Sequence, residues 1–185
     1  MSVDGGIFFS EIFPATKQSV NRKCYSMIFS IADKTELNMD IARRQARINQ
    51  LVREMLVEGL LNDHFQLVQA IRVAGDFQFV AKMILLYCTQ IRTNIRAIAN
   101  YLTEPNIDYA GAAVCAGHLG ICSCGIGAQS IQHACRLFMQ ACAHRSRDQC
   151  VGVFYMLHGE CSRLLPKFME VLQLEMQILY LRRQI

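Results

Sequence analysis

Seven apolar residues, Val80, Ile84, Tyr87, Ile91, Ile95, Ile98 and Leu102, recur at intervals of four, three, four, four, three and four. That near-heptad seam predicts a bundle helix over Phe77 to Thr103. Pro105 ends it, because the residue before a proline is pushed out of the helical region. A similar stripe of Ile41, Ile48, Leu51, Val52, Met55 and Leu56 predicts a helix that begins at an Asp40 cap and stops at Gly59. After it, Asn62 or Asp63 can cap a shorter helix carrying Phe65, Val68 and Ile71, with a turn at Gly75 and Asp76. Ala128 opens a helix with Ile131, Ala134, Cys135, Phe138 and Cys142 inward, ending near Arg145. Asp148 caps the last helix, whose stripe of Val151, Phe154, Leu157, Cys161, Leu164, Phe168, Val171 and Leu174 runs to about Tyr180, with a kink expected at Pro166.

Between these amphipathic segments lies a run without charge, residues 110–129, holding five glycines, three cysteines and His118. Asp108 is positioned to cap it, and it reads as helical to about Cys124, with Gly125 and Gly127 as breakers. No segment has the period of a strand. The expected fold is therefore all-α, with about six helices: four long ones packed up-down-up-down as a four-helix bundle through short loops, preceded by additional N-terminal helices. Residues 1–38 keep no sustained period and contain Gly5, Gly6 and Pro14, so they are expected to be a poorly ordered extension of a bundle domain spanning 39–185.

The apolar fraction of 52% is enough for one domain of this length to bury a real core. The net charge of +4 comes from arginines scattered over several segments with carboxylates among them. A nucleic-acid face would need clustering and interleaved aromatics, so no nucleic-acid partner is expected. Nine cysteines are an odd number, and most fall on apolar stripes, which fits buried reduced thiols better than a disulfide framework. Asp4 and Glu11 leave no readable secretory signal. The 110–129 run approaches the roughly 20 apolar residues of a membrane span. It is Ala, Gly and Cys rather than Leu, Ile and Val and lacks basic flanks, so no membrane partner is expected.

Chemistry-bearing patterns are sparse. Cys115, His118 and Cys122 stand at i, i+3 and i+7 but lack a fourth ligand, so no metal is expected. Cys122 and Cys124 point roughly 200° apart on a helix, which excludes a redox pair. His133, His144 and His158 are isolated from any triad partner, and no glycine-rich phosphate loop follows a strand. These absences point away from an ordinary metabolic enzyme and from a bound cofactor.

Glu58-Gly59-Leu60-Leu61-Asn62-Asp63-His64-Phe65, then Phe79-Val80, Ile126-Gly127-Ala128-Gln129 and Cys135, Phe138, Cys142 and Cys150 stand in one register. In these residues the chain resembles the plant histidine-containing phosphotransfer proteins of the cytokinin phosphorelay. The likeness runs from about Asp40 to Ile185 and is free of gaps between Phe79 and Glu175. The family's hallmark is a helix reading His-Gln-x-Lys-Gly-Ser-Ser and ending in Ile-Gly-Ala, whose imidazole carries a phosphoryl group from the aspartate of one receiver domain to another. Counting back from Ile126-Gly127-Ala128 puts Gly117 at the phosphohistidine position, His118 at the glutamine, Gly120 at the lysine, Ile121 at the glycine and Cys122 at the first serine, while Ser123 is retained.

Phosphoryl transfer needs an imidazole in line with the acyl phosphate and a nearby cation. The resemblance therefore implies a protein that has lost its phosphoacceptor, is no enzyme, and still binds receiver domains of sensor histidine kinases and response regulators. The implied receiver-binding face comprises Gly117, His118, Gly120, Ile121, Cys124, Asp63, Phe65 and Gln69. A monomer in cytoplasm and nucleus that damps cytokinin signalling is the expectation. Two alternatives stay open: His118 as an active phosphoacceptor, which would require a one-residue shift of about 100° inside a helix, and a decayed bundle that binds nothing.

Overall fold

The computed structural model of the chain describes residues 15–73 and 78–184, with side chains placed over 33–70 and 78–184. Six helices follow in order among the described residues: α1 (Ala15–Val57), α2 (His64–Val73), α3 (Phe79–Thr103), α4 (Tyr109–Ile126), α5 (Gln129–Ala143) and α6 (Arg147–Arg182). No strand occurs among them.

The α3 seam is buried as its spacing requires, with Val80, Ile84, Tyr87, Ile91, Ile98 and Leu102 in the core and Ile95 packed against it. Cross-helix contacts give the direction of each neighbour. Tyr87 reaches Ser123 of α4 at 2.7 Å, while Tyr101 lies beside Gly111 nearer the start of α4, so α3 and α4 run antiparallel. Gly117 faces Met139 and Gly120 faces Cys135, which makes α4 and α5 antiparallel too. The Cys142 and Cys150 sulfurs touch at 3.9 Å across the α5–α6 turn. Arg147 donates to the Leu102 carbonyl, and the Tyr87 ring meets Phe168 edge-on at 5.9 Å, so α6 returns antiparallel along α3. The four helices α3 to α6 thus close an up-down-up-down bundle.

α1 lies along the outside of α6. Arg44 contacts Gln177 at 3.0 Å, Arg47 contacts Glu170 at 2.8 Å and Lys167 contacts Glu58 at 2.9 Å, an antiparallel sequence of partners. These pairs are partly exposed, and each of the two ion pairs contributes about 0–1 kcal/mol, so Ile48, Leu51, Val52 and Met55, all buried, carry the attachment.

Several boundaries differ from the periodic reading. Asp40 is no cap, because α1 passes through it from Ala15; its carboxylate instead pairs with Arg43 and Arg44. Residues 15–38 belong to that helix, while residues 1–14, also assigned to the extension, lie outside the described residues, as does the expected turn at Gly75 and Asp76. Ser146 rather than Asp148 caps α6, its hydroxyl accepting from the Gln149 amide; Asp148 sits in the first turn, where the helix dipole favours an anion. α6 continues through Pro166 to Arg182, at the cost of the hydrogen bond that the Ser162 carbonyl would otherwise accept. Asn94 and Glu175, polar residues inside apolar stripes, are buried; the Asn94 amide donates to the Gln90 carbonyl.

Cys88, Cys135, Cys142, Cys150 and Cys161 are buried and free. Burial pushes the thiols of Cys135, Cys142 and Cys161 up to about 12, so they stay protonated at neutral pH and pack as small apolar groups.

Two outcomes are expected from this architecture. Asp33, Lys34, Thr35, Glu36, Asn38 and Met39 are exposed, so limited proteolysis should cut there first and leave a resistant core beginning near residue 40; equal resistance on both sides of Met39 would contradict that boundary. Gly127 has φ 79°, and a Cβ there would come within 2.7 Å of Asn62 Oδ1 and 2.8 Å of the Phe65 amide nitrogen. Gly127→Ala should therefore lower unfolding free energy by about 2–4 kcal/mol in urea titrations.

Candidate receiver-docking face on α4 and α5

α4 is the helix that its composition least favours. Four glycines inside it, at 111, 117, 120 and 125, cost roughly 1 kcal/mol each relative to alanine. It holds because Ala112, Ala116, Leu119, Ser123 and Ile126 recur every three or four residues and are all buried against the bundle. The Asp108 side chain caps its start by accepting from the Gly111 amide at 2.9 Å. Gly125 does not break it; the helix runs on to Ile126 and ends at Gly127, whose left-handed conformation turns the chain toward α5. Ser123 is fixed from both sides, sharing a hydrogen bond with the Tyr87 hydroxyl and donating to the Leu119 carbonyl, each at 2.7 Å. Burial raises the Tyr87 phenol well above its usual range, so it remains a neutral partner.

By length and composition α4 could cross a bilayer, the one such helix among the described residues. In the bundle it is packed between α3 and α5.

The opposite face of α4 borders an open groove of about 600 Å³ against α5. Gly117, Gly120, Ile121, Cys124 and Gly125 line it from α4, and Gln132, Cys135, Arg136 and Met139 line it from α5. Of the residues expected to form the face, the groove brings together Gly117, Gly120, Ile121 and Cys124. His118 is exposed but outside the lining, one step round the helix. Asp63 and Gln69 lie on or beside α2, outside the groove's lining. Phe65 corrects the expectation: its side chain is fully buried, stacked on Phe168 at 5.5 Å, and is core rather than surface. Gln132, Arg136 and Met139 were not anticipated. Their spacing of four and three does place them on one side of α5, but periodicity leaves unsaid which neighbour that side adjoins.

The groove has room and little chemistry. A Cβ at Gly117 would sit 3.8 Å from the Met139 sulfur, an ordinary contact, so the backbone there would accept a side chain. A Cβ at Gly120 would touch the Cys135 Cβ at 3.4 Å. Ile121, 73% exposed, adds a branched apolar group to the lining. Arg136 is the one cation of the lining, and its guanidinium donates to His133 Nδ1 at 3.3 Å. Cys135 is buried and protonated, and no imidazole lines the groove. Among the described residues, no three His, Cys, Asp or Glu side chains gather as a metal site, and Cys115, His118 and Cys122 do not form one.

No family model matches the chain. It is similar to histidine-containing phosphotransfer protein 1 of rice (Oryza sativa subsp. japonica), with 32% identity over 140 residues that cover 76% of this chain and 95% of the relative. Pseudo histidine-containing phosphotransfer protein 6 of Arabidopsis thaliana is 25% identical over 142 residues, covering 76% and 92%. The structure superposes on that of a maize histidine-containing phosphotransfer protein with a TM-score of 0.70 and 30% identity, covering 73% of this chain and 99% of the other. A rice structure of the same kind gives 0.70 and 28%, covering 75% and 97%. With identity above 30% over nearly the whole of a relative, and the bundle shared end to end, the chain belongs to the histidine-containing phosphotransfer protein family of the two-component phosphorelay.

Proposed function

We propose that this protein is a phosphorylation-incompetent member of its family, a binding protein rather than an enzyme. In this reading it docks receiver domains of sensor histidine kinases and response regulators through the α4–α5 groove. The observation that carries the reading is Gly117, which lines the groove at the position matched to the family's phosphohistidine and, having no side chain, offers no imidazole there. Gly120, at the motif's lysine position, supplies no cation to steady a transferring phosphoryl group, and Ile121 puts an exposed apolar side chain at the motif's glycine position. A monomer that occupies receivers without relaying phosphate competes with active phosphotransfer proteins and damps cytokinin signalling in cytoplasm and nucleus.

The groove also bears on the alternative of His118 as acceptor. For transfer, the receiver's P–O bond must break as a P–N bond forms on an imidazole held in line. His118 lies outside the groove, and bringing it in would rotate α4 by about 100°, which would pull Ala112, Ala116, Leu119 and Ser123 out of the core.

Incubation with a phosphorylated receiver tests this chemistry. The wild type should take up no acid-labile label, and Gly117→His combined with Gly120→Lys and Ile121→Gly should gain it. Label that appears on the wild type and vanishes in His118→Ala would overturn the reading. Docking has its own test: Ile121→Glu should weaken binding of an isolated receiver domain by about tenfold or more in calorimetry, with the helical circular dichroism unchanged because the residue is exposed. Unaltered affinity would move the docking surface elsewhere.

A further inference from the structure

We infer that the α4–α5 groove binds a receiver domain without regard to whether its aspartate is phosphorylated. This rests on the reading of the groove as the receiver-docking face and adds how that binding is regulated. Aspartyl phosphorylation changes the receiver's acidic pocket by replacing a carboxylate of one negative charge with an acyl phosphate of about two, a net gain of about one charge together with strong acceptor oxygens. A partner senses the change only if it presents something whose interaction differs between the two states.

The groove presents almost nothing of that kind. Gly117, Gly120 and Gly125 contribute no side-chain atoms, Ile121 and Met139 are apolar, and Cys135 is buried and protonated. The backbone N–H groups of α4 along the groove, from Gly117 to Gly125, are spent in the helix and cannot turn outward. Gln132 is neutral. The exposed Cys124 offers a thiol, a weak donor. Arg136 is the one cation that could respond, and it is exposed and already shared with His133. An ion pair in that setting discriminates by no more than about fivefold.

What the groove does offer is the same for both states. Ile121 and Met139 supply exposed apolar area, 73% and 42% accessible, which an apolar patch of the partner would bury. No carboxylate occurs between Asp108 and Asp148, while Arg136, Arg145 and Arg147 do, so the α4–α5 side suits an acidic surface by overall charge. Long-range attraction of that kind favours the receiver's acidic face in either state and falls with salt.

The experiment is calorimetric titration of the full-length chain with an isolated sensor-kinase receiver domain and magnesium, with and without beryllofluoride as the aspartyl-phosphate mimic, at about 0.15 M salt. The two dissociation constants should agree within about fivefold, and a larger difference in either direction overturns the inference. Absence of binding to both forms would instead overturn the docking reading on which it rests. Gly120→Lys, with folding checked by circular dichroism, should create a preference for the beryllofluoride form of about tenfold. If that variant stays as indifferent as the parent, the missing cation is not the cause and the inference fails.

Discussion

The placement of the α4–α5 groove depends on one close approach of two backbones. At Gly127 the chain leaves α4 with φ 79°, and its carbonyl accepts the Asn62 amide at 2.9 Å. The turn before α2 and the turn after α4 are thereby locked together, with no space for a Cβ between Gly127, Asn62 and Phe65. Asn62 completes the junction by capping α2, its Oδ1 accepting the His64 amide at 3.1 Å. Ala128 and Phe65, both fully buried, pack around the same point. The end of α4 is thus fixed along the bundle axis, and with it the rotation that puts 117, 120, 121 and 124 outward.

Given that anchor, shape and chemistry separate along α4. The inward set of Ala112, Ala116, Leu119, Ser123 and Ile126 preserves the bundle and tolerates a glycine-rich outer face, because tertiary packing outweighs local helix propensity. Gly117 and Gly120 add no side chain to that outer face, and the inward set holds the helix without one. In the proposed reading, a protein built this way keeps a family's docking geometry while lacking its reaction. That is the physical basis for reading the chain as a competitor rather than a carrier.

The fold was largely legible because its signal is periodicity. The α3 and α5 stripes were buried nearly residue for residue, and short loops required antiparallel neighbours. Legibility failed where a local signal had a rival. Asp40 looked like a cap, but helix continued on both sides of it; Asp148 looked like one beside the better-placed Ser146. Gly125 looked like a breaker, yet in open space on the outer face it only weakens the helix, while Gly127, where backbone meets backbone, ends it. Phe65 shared a motif with surface residues and was taken for one, although an aromatic ring of that size stacked on Phe168 belongs to the core.

The sequence by itself determined helices α2 to α6 and their antiparallel order, which follow from spacing along one chain, and its resemblance to the family set Gly117 against the phosphohistidine position; the helical stretch 15–38 has no period to reveal it. Only the tertiary structure decided what surrounds that glycine. Gln132, Arg136 and Met139 come from another helix, and which side of α5 meets α4 depends on how two surfaces pack, a relation that no one-dimensional period contains.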